Sequence, residues 1–165
     1  MLIAVLGNRN SGKSTTWQTL FNDRNVRTAQ KSLRQLHFND QEYTNVFLIN
    51  GSPQERQRNV EEIIQVGYDP EIVLCSLQYT DDAINSLKYF AEKDYFIYLH
   101  WLNPGYNDQA SYVDRLNLIP MLLTYNSLVG QRDGKIDPIT RMEEIKEYIY
   151  NWAKKNQLIK MLNII

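Results

Sequence analysis

The chain has 165 residues, of which 43% are hydrophobic and 22% charged, and its formal net charge is −1. This length fits one domain, residues 1–165, with a single core. The near-neutral charge does not indicate nucleic-acid binding or attraction to an acidic membrane. No apolar run approaches a membrane span in length. Because Met1 leads directly into the first predicted strand, no signal peptide is expected and a cytoplasmic location follows.

The N-terminal segment combines a strand, a glycine-containing loop and a helix. Residues 2–6 form an uninterrupted apolar run that is typical of a buried parallel strand. Residues 7–14 then match the complete phosphate-binding pattern G-x-x-x-x-G-K-[ST], and residues 14–21 are predicted to be the first helix. In this order the amide N–H groups of the loop and of the helix N-terminus favour an anion.

The residue types in this loop suit a nucleoside triphosphate. Gly7 and Gly12 let the backbone wrap around a phosphate. Lys13 would reach the β- and γ-phosphates, and the Ser14 hydroxyl is placed to ligate Mg²⁺. The predicted binding residues are Gly7, Asn8, Arg9, Asn10, Ser11, Gly12, Lys13, Ser14 and Thr15, with Gly51 further along the chain. The sequence therefore predicts a site for ATP or GTP with Mg²⁺.

The rest of the chain alternates strands with helices. A polar turn at 39–42 separates predicted strands at 32–38 and 46–49, which indicates an antiparallel hairpin. Further strands are predicted at 72–77, at 95–102 and within 121–129, and helices at 54–66, 81–91, 109–116 and 138–158. This pattern predicts a three-layer α/β fold of the P-loop type. Its parallel-dominated sheet would have about six strands and one antiparallel hairpin strand, with the ligand at the carboxyl ends of the strands.

The loop resembles that of the Era and TrmE group of Ras-sized GTPases of the translation-factor class, whose pattern is G-x-P-N-x-G-K-S. The order of the following elements is similar as well. The resemblance implies that Asn10 helps to coordinate K⁺ beside the phosphates, whereas Arg9 replaces the proline of the family. At the level of motifs the resemblance covers residues 2–22.

Two further motifs of that family are altered in this chain. Residues 48–51 correspond to D-x-x-G, and Leu48 stands where the family has the aspartate that holds Mg²⁺ through water. Residues 103–106 correspond to N-K-x-D, and Asn103 alone matches. Without the second aspartate the acceptor for guanine is missing, so we expect weak base selectivity or a preference for ATP.

Other residues are candidates for completing the site. Asn50 could hold a water of Mg²⁺ and Glu55 could position the attacking water, although residues 50–53 also suit a plain turn followed by a helix cap. Thr28 stands where a switch threonine would approach Mg²⁺. Arg9 is a candidate for the positive charge that stabilises phosphoryl transfer. Further arginines near the expected site are Arg24, Arg27, Arg56 and Arg58.

Three functions stay open from the sequence. The favoured one is a slow Mg²⁺-dependent NTPase or nucleotide switch, whose protein partner would bind residues 24–31, residues 51–58 or the apolar C-terminus at 158–165. A P-loop kinase is the second, with Arg115 and Arg132 as candidate lid arginines. The third is a catalytically weak nucleotide-binding subunit, which the missing aspartate would explain.

Overall fold

The computed structural model describes residues 1–29, 32–65 and 67–162. Within these ranges the strands are β1 (Leu2–Gly7), β2 (Arg34–His37), β3 (Glu42–Ile49), β4 (Val73–Gln78), β5 (Ile97–Leu102), β6 (Ser127–Arg132) and β7 (Lys160–Met161). The helices are α1 (Lys13–Phe21), α2 (Pro53–Arg56), α3 (Val60–Ile63), α4 (Asp81–Glu92), α5 (Leu118–Leu122) and α6 (Pro138–Lys155). The α/β class predicted from the sequence is confirmed.

The strands form one mixed, mostly parallel sheet. Their order is β2-β3-β4-β1-β5-β6, and β7 pairs with β3. β3, β4, β1, β5 and β6 are parallel, whereas β2 and β7 run antiparallel to β3. The predicted hairpin is therefore confirmed. β7 raises the number of strands in the described part of the chain to seven, and the end of the predicted apolar C-terminus, residues 163–165, lies outside that part.

Helices pack on both faces of the sheet. Every residue of β1 is buried, and alternate side chains of a strand point to opposite faces. Ile3 and Val5 belong to a core shared with α1 and α6, whereas Ala4 and Leu6 belong to a core shared with α3, α4 and α5. A strand that is buried on both faces needs a continuous apolar run, which is what residues 2–6 provide.

The strand order places β4 between β1 and β3. Ile49 at the end of β3 is level with Cys75, and Cys75 is level with Ala4 of β1. The end of β3 therefore lies two strand spacings from β1, about 10 Å, and three residues, again about 10 Å, short of Gly7 along the strand direction. The strand whose end adjoins the phosphate loop on this side is β4, since Gln78 is paired with Gly7.

The predicted helix over 54–66 is wrong, because the chain forms two short helices, α2 and α3, in this region. Gln57 takes a left-handed conformation with φ of 51° and ends α2. Asn59 then caps α3 in a capping box with Glu62. Val66, the last residue of the predicted helix, lies outside the described residues.

The predicted helix near 109–116 is also wrong, because this segment is irregular. The Asn103 side chain donates to Tyr112 O at 2.6 Å and accepts from Tyr112 N at 2.8 Å, so it takes up the backbone groups that a helix would use. The helix in this region is α5, which begins at Leu118, after the predicted range. Pro120 is inside it, not before it, which the first turn tolerates because its N–H groups need no partner there.

The last strand and the last helix are shifted relative to their predicted ranges. β6 occupies Ser127–Arg132 and overlaps only the end of the predicted range 121–129, because α5 takes up its start. α6 begins at Pro138, as predicted from the capping Asp137, and ends at Lys155 rather than near Leu158.

Candidate functional site

The motif of residues 7–14, called the phosphate loop below, forms the connection between β1 and α1. Gly12 is the N-cap of α1 with φ of 98°, a conformation that favours glycine, and no side chain caps this end of the helix. In the middle of α1, the buried Trp17 Nε1 donates to Ser76 Oγ of β4 at 2.8 Å. The helix is thus anchored to the sheet with its N-terminal N–H groups directed to the carboxyl end of β1.

Lys13 folds back over the loop. Its ammonium donates to Gly7 O at 3.2 Å and to Asn8 O at 2.7 Å, and the residue is buried. Burial lowers the pKa of the Lys13 ammonium below its ordinary value, whereas the carboxylates of Glu55 and Asp108 raise it. The loop therefore holds a positive charge that has lost much of its hydration, which an anionic ligand would stabilise.

A cavity of about 590 Å³ adjoins the loop. Residues 10–15 form one part of its wall, and residues 134–138 of the loop between β6 and α6 form another. Tyr106 and Asn107 line the cavity from the loop after β5, Glu55 from α2 and Arg141 from α6. The cavity lies at the carboxyl ends of β1, β5 and β6, where parallel sheets bind ligands.

The loops after β5 and β6 hold the phosphate loop in place. Tyr106 N donates to Ser11 O at 3.0 Å, and Gly134 N donates to Pro104 O at 2.7 Å. Asn8 Nδ2 donates to Asp108 Oδ1 at 3.1 Å. A Cβ atom on Gly134 would stand 2.7 Å from Ser11 O, so a residue with a side chain would force the loops apart.

Glu55 reaches this site through α2. Ser52 Oγ accepts from Glu55 N at 3.2 Å, while Ser52 N donates to Glu55 Oε2 at 3.3 Å, which completes a capping box. The side chain is exposed, lines the cavity and acts on the pKa of Lys13. The structure thus brings together Glu55, Lys13 and the exposed residue Ser14 at the cavity. The same segment, residues 50–53, also forms the turn and helix cap that the sequence suits.

Thr28 and Asn50 lie together, away from the cavity. Thr28 Oγ1 accepts from Asn50 N at 3.0 Å and from Arg56 Nη2 at 2.6 Å. The Asn50 amide donates to Val26 O at 2.8 Å, and its Oδ1 is buried without a partner among the described residues. Gly51 N is 3.4 Å from the same Thr28 hydroxyl. These residues connect the segment after α1 to the end of β3, and none of them lines the cavity.

The candidate arginines are distributed over the surface. Arg9 is exposed at the tip of the phosphate loop and does not line the cavity. Five further arginines are also exposed and do not line the cavity, namely Arg24, Arg27, Arg56, Arg58 and Arg115. Arg132, the other arginine considered for a kinase lid, forms an ion pair with Glu144 of α6. Among the described residues no group of three or more His, Cys, Asp or Glu side chains is arranged to hold a metal ion.

Sequence reasoning missed the part of the cavity wall that lies outside the loop. Tyr106, Asn107 and residues 134–138 belong to no motif, and they reach the cavity only through the pairing of β5 with β1 and β6. Arg141 had a signal in the sequence. It stands four residues before Ile145 on the buried stripe of α6, where an apolar residue is expected.

Comparison of the chain with protein-family models, with curated proteins and with solved structures gave no match. None of the helices in residues 1–29, 32–65 and 67–162 is long and apolar enough to cross a membrane. The class of ligand must therefore be inferred from the phosphate loop and from the cavity beside it.

Proposed function

We propose that this chain binds a nucleoside triphosphate with Mg²⁺ in the cavity of the phosphate loop and hydrolyses it slowly, as a nucleotide switch that acts with a protein partner. One observation carries the proposal: the Lys13 ammonium is buried beside the uncapped N-terminus of α1, at the wall of an open cavity. A cation and a helix N-terminus that face the same space favour a phosphate.

The residues at the cavity fit a hydrated magnesium ion in part. Ser14 is exposed at the start of α1, and Ser14 and Glu55 both line the cavity. A bound Mg²⁺ would neutralise charge on the phosphates, with Ser14 as a ligand and Glu55 holding one of its waters. Thr28 and Asn50, the other predicted ligands, are engaged with each other and with Val26 and Arg56.

Asn10 supports the proposed role of K⁺ by its position. It lines the cavity and has a left-handed backbone with φ of 58°, at the turn of the phosphate loop. An amide oxygen there would lie beside the phosphates of a ligand in the cavity.

A catalytically weak nucleotide-binding subunit is the second candidate. It is favoured by the position of residues 48–51, where the aspartate of the similar GTPases would stand. Leu48 is completely buried, and the end of β3 is separated from the loop by β4. Binding without turnover would follow if Glu55 by itself cannot hold the magnesium-bound water in place.

Calorimetric titration with ATP and with GTP, each with and without Mg²⁺, tests the proposal. Wild-type protein should bind both, with a preference for GTP below about a hundredfold, or 2.7 kcal/mol. Lys13→Ala should abolish binding because no neighbouring group replaces its point charge, while circular dichroism shows an intact fold. Lys93→Ala, which removes an exposed lysine paired with Asp69, is the matched control and should bind as wild type does. Unchanged affinity in folded Lys13→Ala would overturn the proposal.

A further inference from the structure

Arg141 occupies an unusual place for a charged residue. It lies on the face of α6 that also carries Ile145, Ile149 and Ala153, at intervals of four residues, and it is 5% exposed. Arginine is rarely buried to this degree unless a carboxylate is paired with it. A buried arginine on an apolar stripe therefore calls for a specific partner.

No carboxylate is paired with Arg141 among the described residues. Its Nε donates to Thr16 Oγ1 at 2.9 Å, and its terminal nitrogens donate to no other described residue. Burial lowers the pKa of the guanidinium below its ordinary value, and the nearby Asp137, at a distance beyond ion-pair contact, raises it. Arg141 is thus a desolvated cation whose two terminal nitrogens, Nη1 and Nη2, have no hydrogen-bond acceptor among the described residues.

The guanidinium lies beside the N-terminus of α1, at the cavity. Arg141 is one of the residues that line it, and its Nη2 lies 3.8 Å from the point where a Cβ atom on Gly12 would stand. Gly12 and Thr16 are the two ends of the first turn of α1. The guanidinium therefore lies along this turn, on the side of the loop that faces α6, while Lys13 lies over the carbonyls of Gly7 and Asn8.

We propose that Arg141 is a second phosphate-binding residue of the site, whose terminal nitrogens contact the oxygens of a ligand phosphate held over the first turn of α1. A guanidinium presents two parallel N–H donors that match two oxygens of one phosphate. The Thr16 hydroxyl fixes the plane of this fork before the ligand arrives. The assignment rests on the proposed function, and it adds a residue that no part of the phosphate-loop motif contains.

Substitution of Arg141 by methionine separates ligand binding from folding. Arg141→Met keeps an unbranched apolar stem and removes the charge. The melting temperature of the ligand-free variant should be equal to or above that of wild type, since an uncompensated buried charge is lost. Its affinity for inorganic tripolyphosphate, and for ATP with Mg²⁺, should fall about tenfold to a hundredfold, the usual effect of losing charged hydrogen bonds. A purely structural arginine would give the opposite pattern, with lower stability and unchanged affinity.

Two further variants complete the experiment. Arg115→Gln removes an exposed arginine outside the cavity and should bind both probes as wild type does. Arg141→Lys keeps a positive charge but lacks the fork, so its affinity for tripolyphosphate should be about tenfold below that of wild type. If Arg141→Met does not fold, Arg141→Lys decides, and wild-type affinity in that variant overturns the assignment.

The outcomes distinguish this inference from the proposed function. Wild-type protein that binds neither probe overturns both. Wild-type protein that binds, together with an Arg141→Met variant within about twofold of it, overturns the role of Arg141 and leaves the proposed function standing. If only the ATP affinity falls and the tripolyphosphate affinity is unchanged, Arg141 contacts the sugar or the base, and the phosphate assignment is wrong.

Discussion

At the scale of single residues, His100 shows how the fold places a titratable group in an apolar setting. The residue is completely buried on β5, and neither ring nitrogen has a hydrogen-bond partner among the described residues. Burial lowers the pKa of His100 to about 4, while Glu144 raises it and Arg132 and Arg141 lower it. Glu144 accepts from the Tyr98 hydroxyl at 2.5 Å and pairs with Arg132. The imidazole therefore stays neutral at neutral pH, although the charged side chains of Glu144, Arg132 and Arg141 lie near it.

This pKa makes the stability of the protein depend on pH. Between pH 6.5 and about 4 the unfolded chain binds a proton at His100 that the folded chain does not, so the free energy of unfolding falls as the pH is lowered. The full difference is about 3 kcal/mol at 1.4 kcal/mol per pKa unit. Urea unfolding of wild type and His100→Leu across this range measures it, and from pH 7 to pH 4 the wild type should lose about 3 kcal/mol of stability relative to the variant.

His37→Gln provides the control for that measurement. His37 is exposed on β2, which is separated from β5 and His100 by three strands, and the variant should show the same pH profile as wild type. A constant difference between wild type and His100→Leu from pH 7 to pH 4 would contradict the prediction.

At the scale of elements, the site depends on three loops that meet at glycines. The loops after β1, β5 and β6 approach so closely that a Cβ atom on Gly134 would stand 2.9 Å from Gly105 Cα and 2.9 Å from Tyr106 N. These atoms and Ser11 O, the three nearest ones, all belong to the backbone, so no flexible side chain can move away to make room. The position of Tyr106 and of residues 134–138 relative to the phosphate loop follows from this contact.

Gly134→Ala should therefore damage stability and binding together. Overpacking of this kind costs about 1–3 kcal/mol, and the displaced loops should weaken triphosphate binding. Urea unfolding and calorimetry of the same preparation measure the two effects. Gly67→Ala is the control: its φ is 78° but nothing lies within 4 Å of a Cβ there, so it should cost stability without an effect on affinity. Wild-type affinity in Gly134→Ala would show that the loop contact does not shape the site.

At the scale of the whole molecule, the sheet order separates the end of β3 from the loop of residues 7–14. Because β4 lies between β1 and β3, the segment that carries Leu48 and Asn50 starts from two strands away. From this segment the turn into α2 brings one carboxylate, Glu55, to the cavity, while Asp108 after β5 accepts from Asn8 of the loop. The carboxyl ends of the strands next to the loop carry Gln78 and Leu102 instead of acids.

We therefore expect slow hydrolysis by the isolated chain, at about 10⁻³ per second or less. Loss of one electrostatic contributor typically lowers a rate about a hundredfold to a thousandfold. Phosphate release in KCl and in NaCl at equal ionic strength measures both the rate and the proposed role of K⁺, and Asn10→Ala should remove any advantage of KCl. Several turnovers per second that disappear in Glu55→Gln would identify a self-sufficient enzyme and contradict this expectation.

How much the sequence could predict depends on the range of the interactions involved. The hairpin between β2 and β3 and the capped start of α6 at Asp137 were predictable, because each depends on residues close together in the chain. The predicted helix at 109–116 failed because Asn103 binds the backbone of Tyr112, nine residues away. The predicted helix over 54–66 failed because Gln57 takes a left-handed conformation and ends α2, and glutamine is not a residue type that indicates a turn.

The sequence by itself determined the place of the loop of residues 7–14 between a buried strand and a helix, since the pattern, the apolar run and the glycines are contiguous. Only the tertiary structure decided which other residues line the cavity beside that loop. Strand pairing placed β4 beside β1 and brought residues 134–138 and Arg141 to the cavity wall, while Thr28 and Asn50 were turned towards each other. Hydrogen bonding between strands and the packing of α6 on α1 join residues more than a hundred positions apart, as Arg141 and Thr16 show, and no local pattern encodes such a pairing.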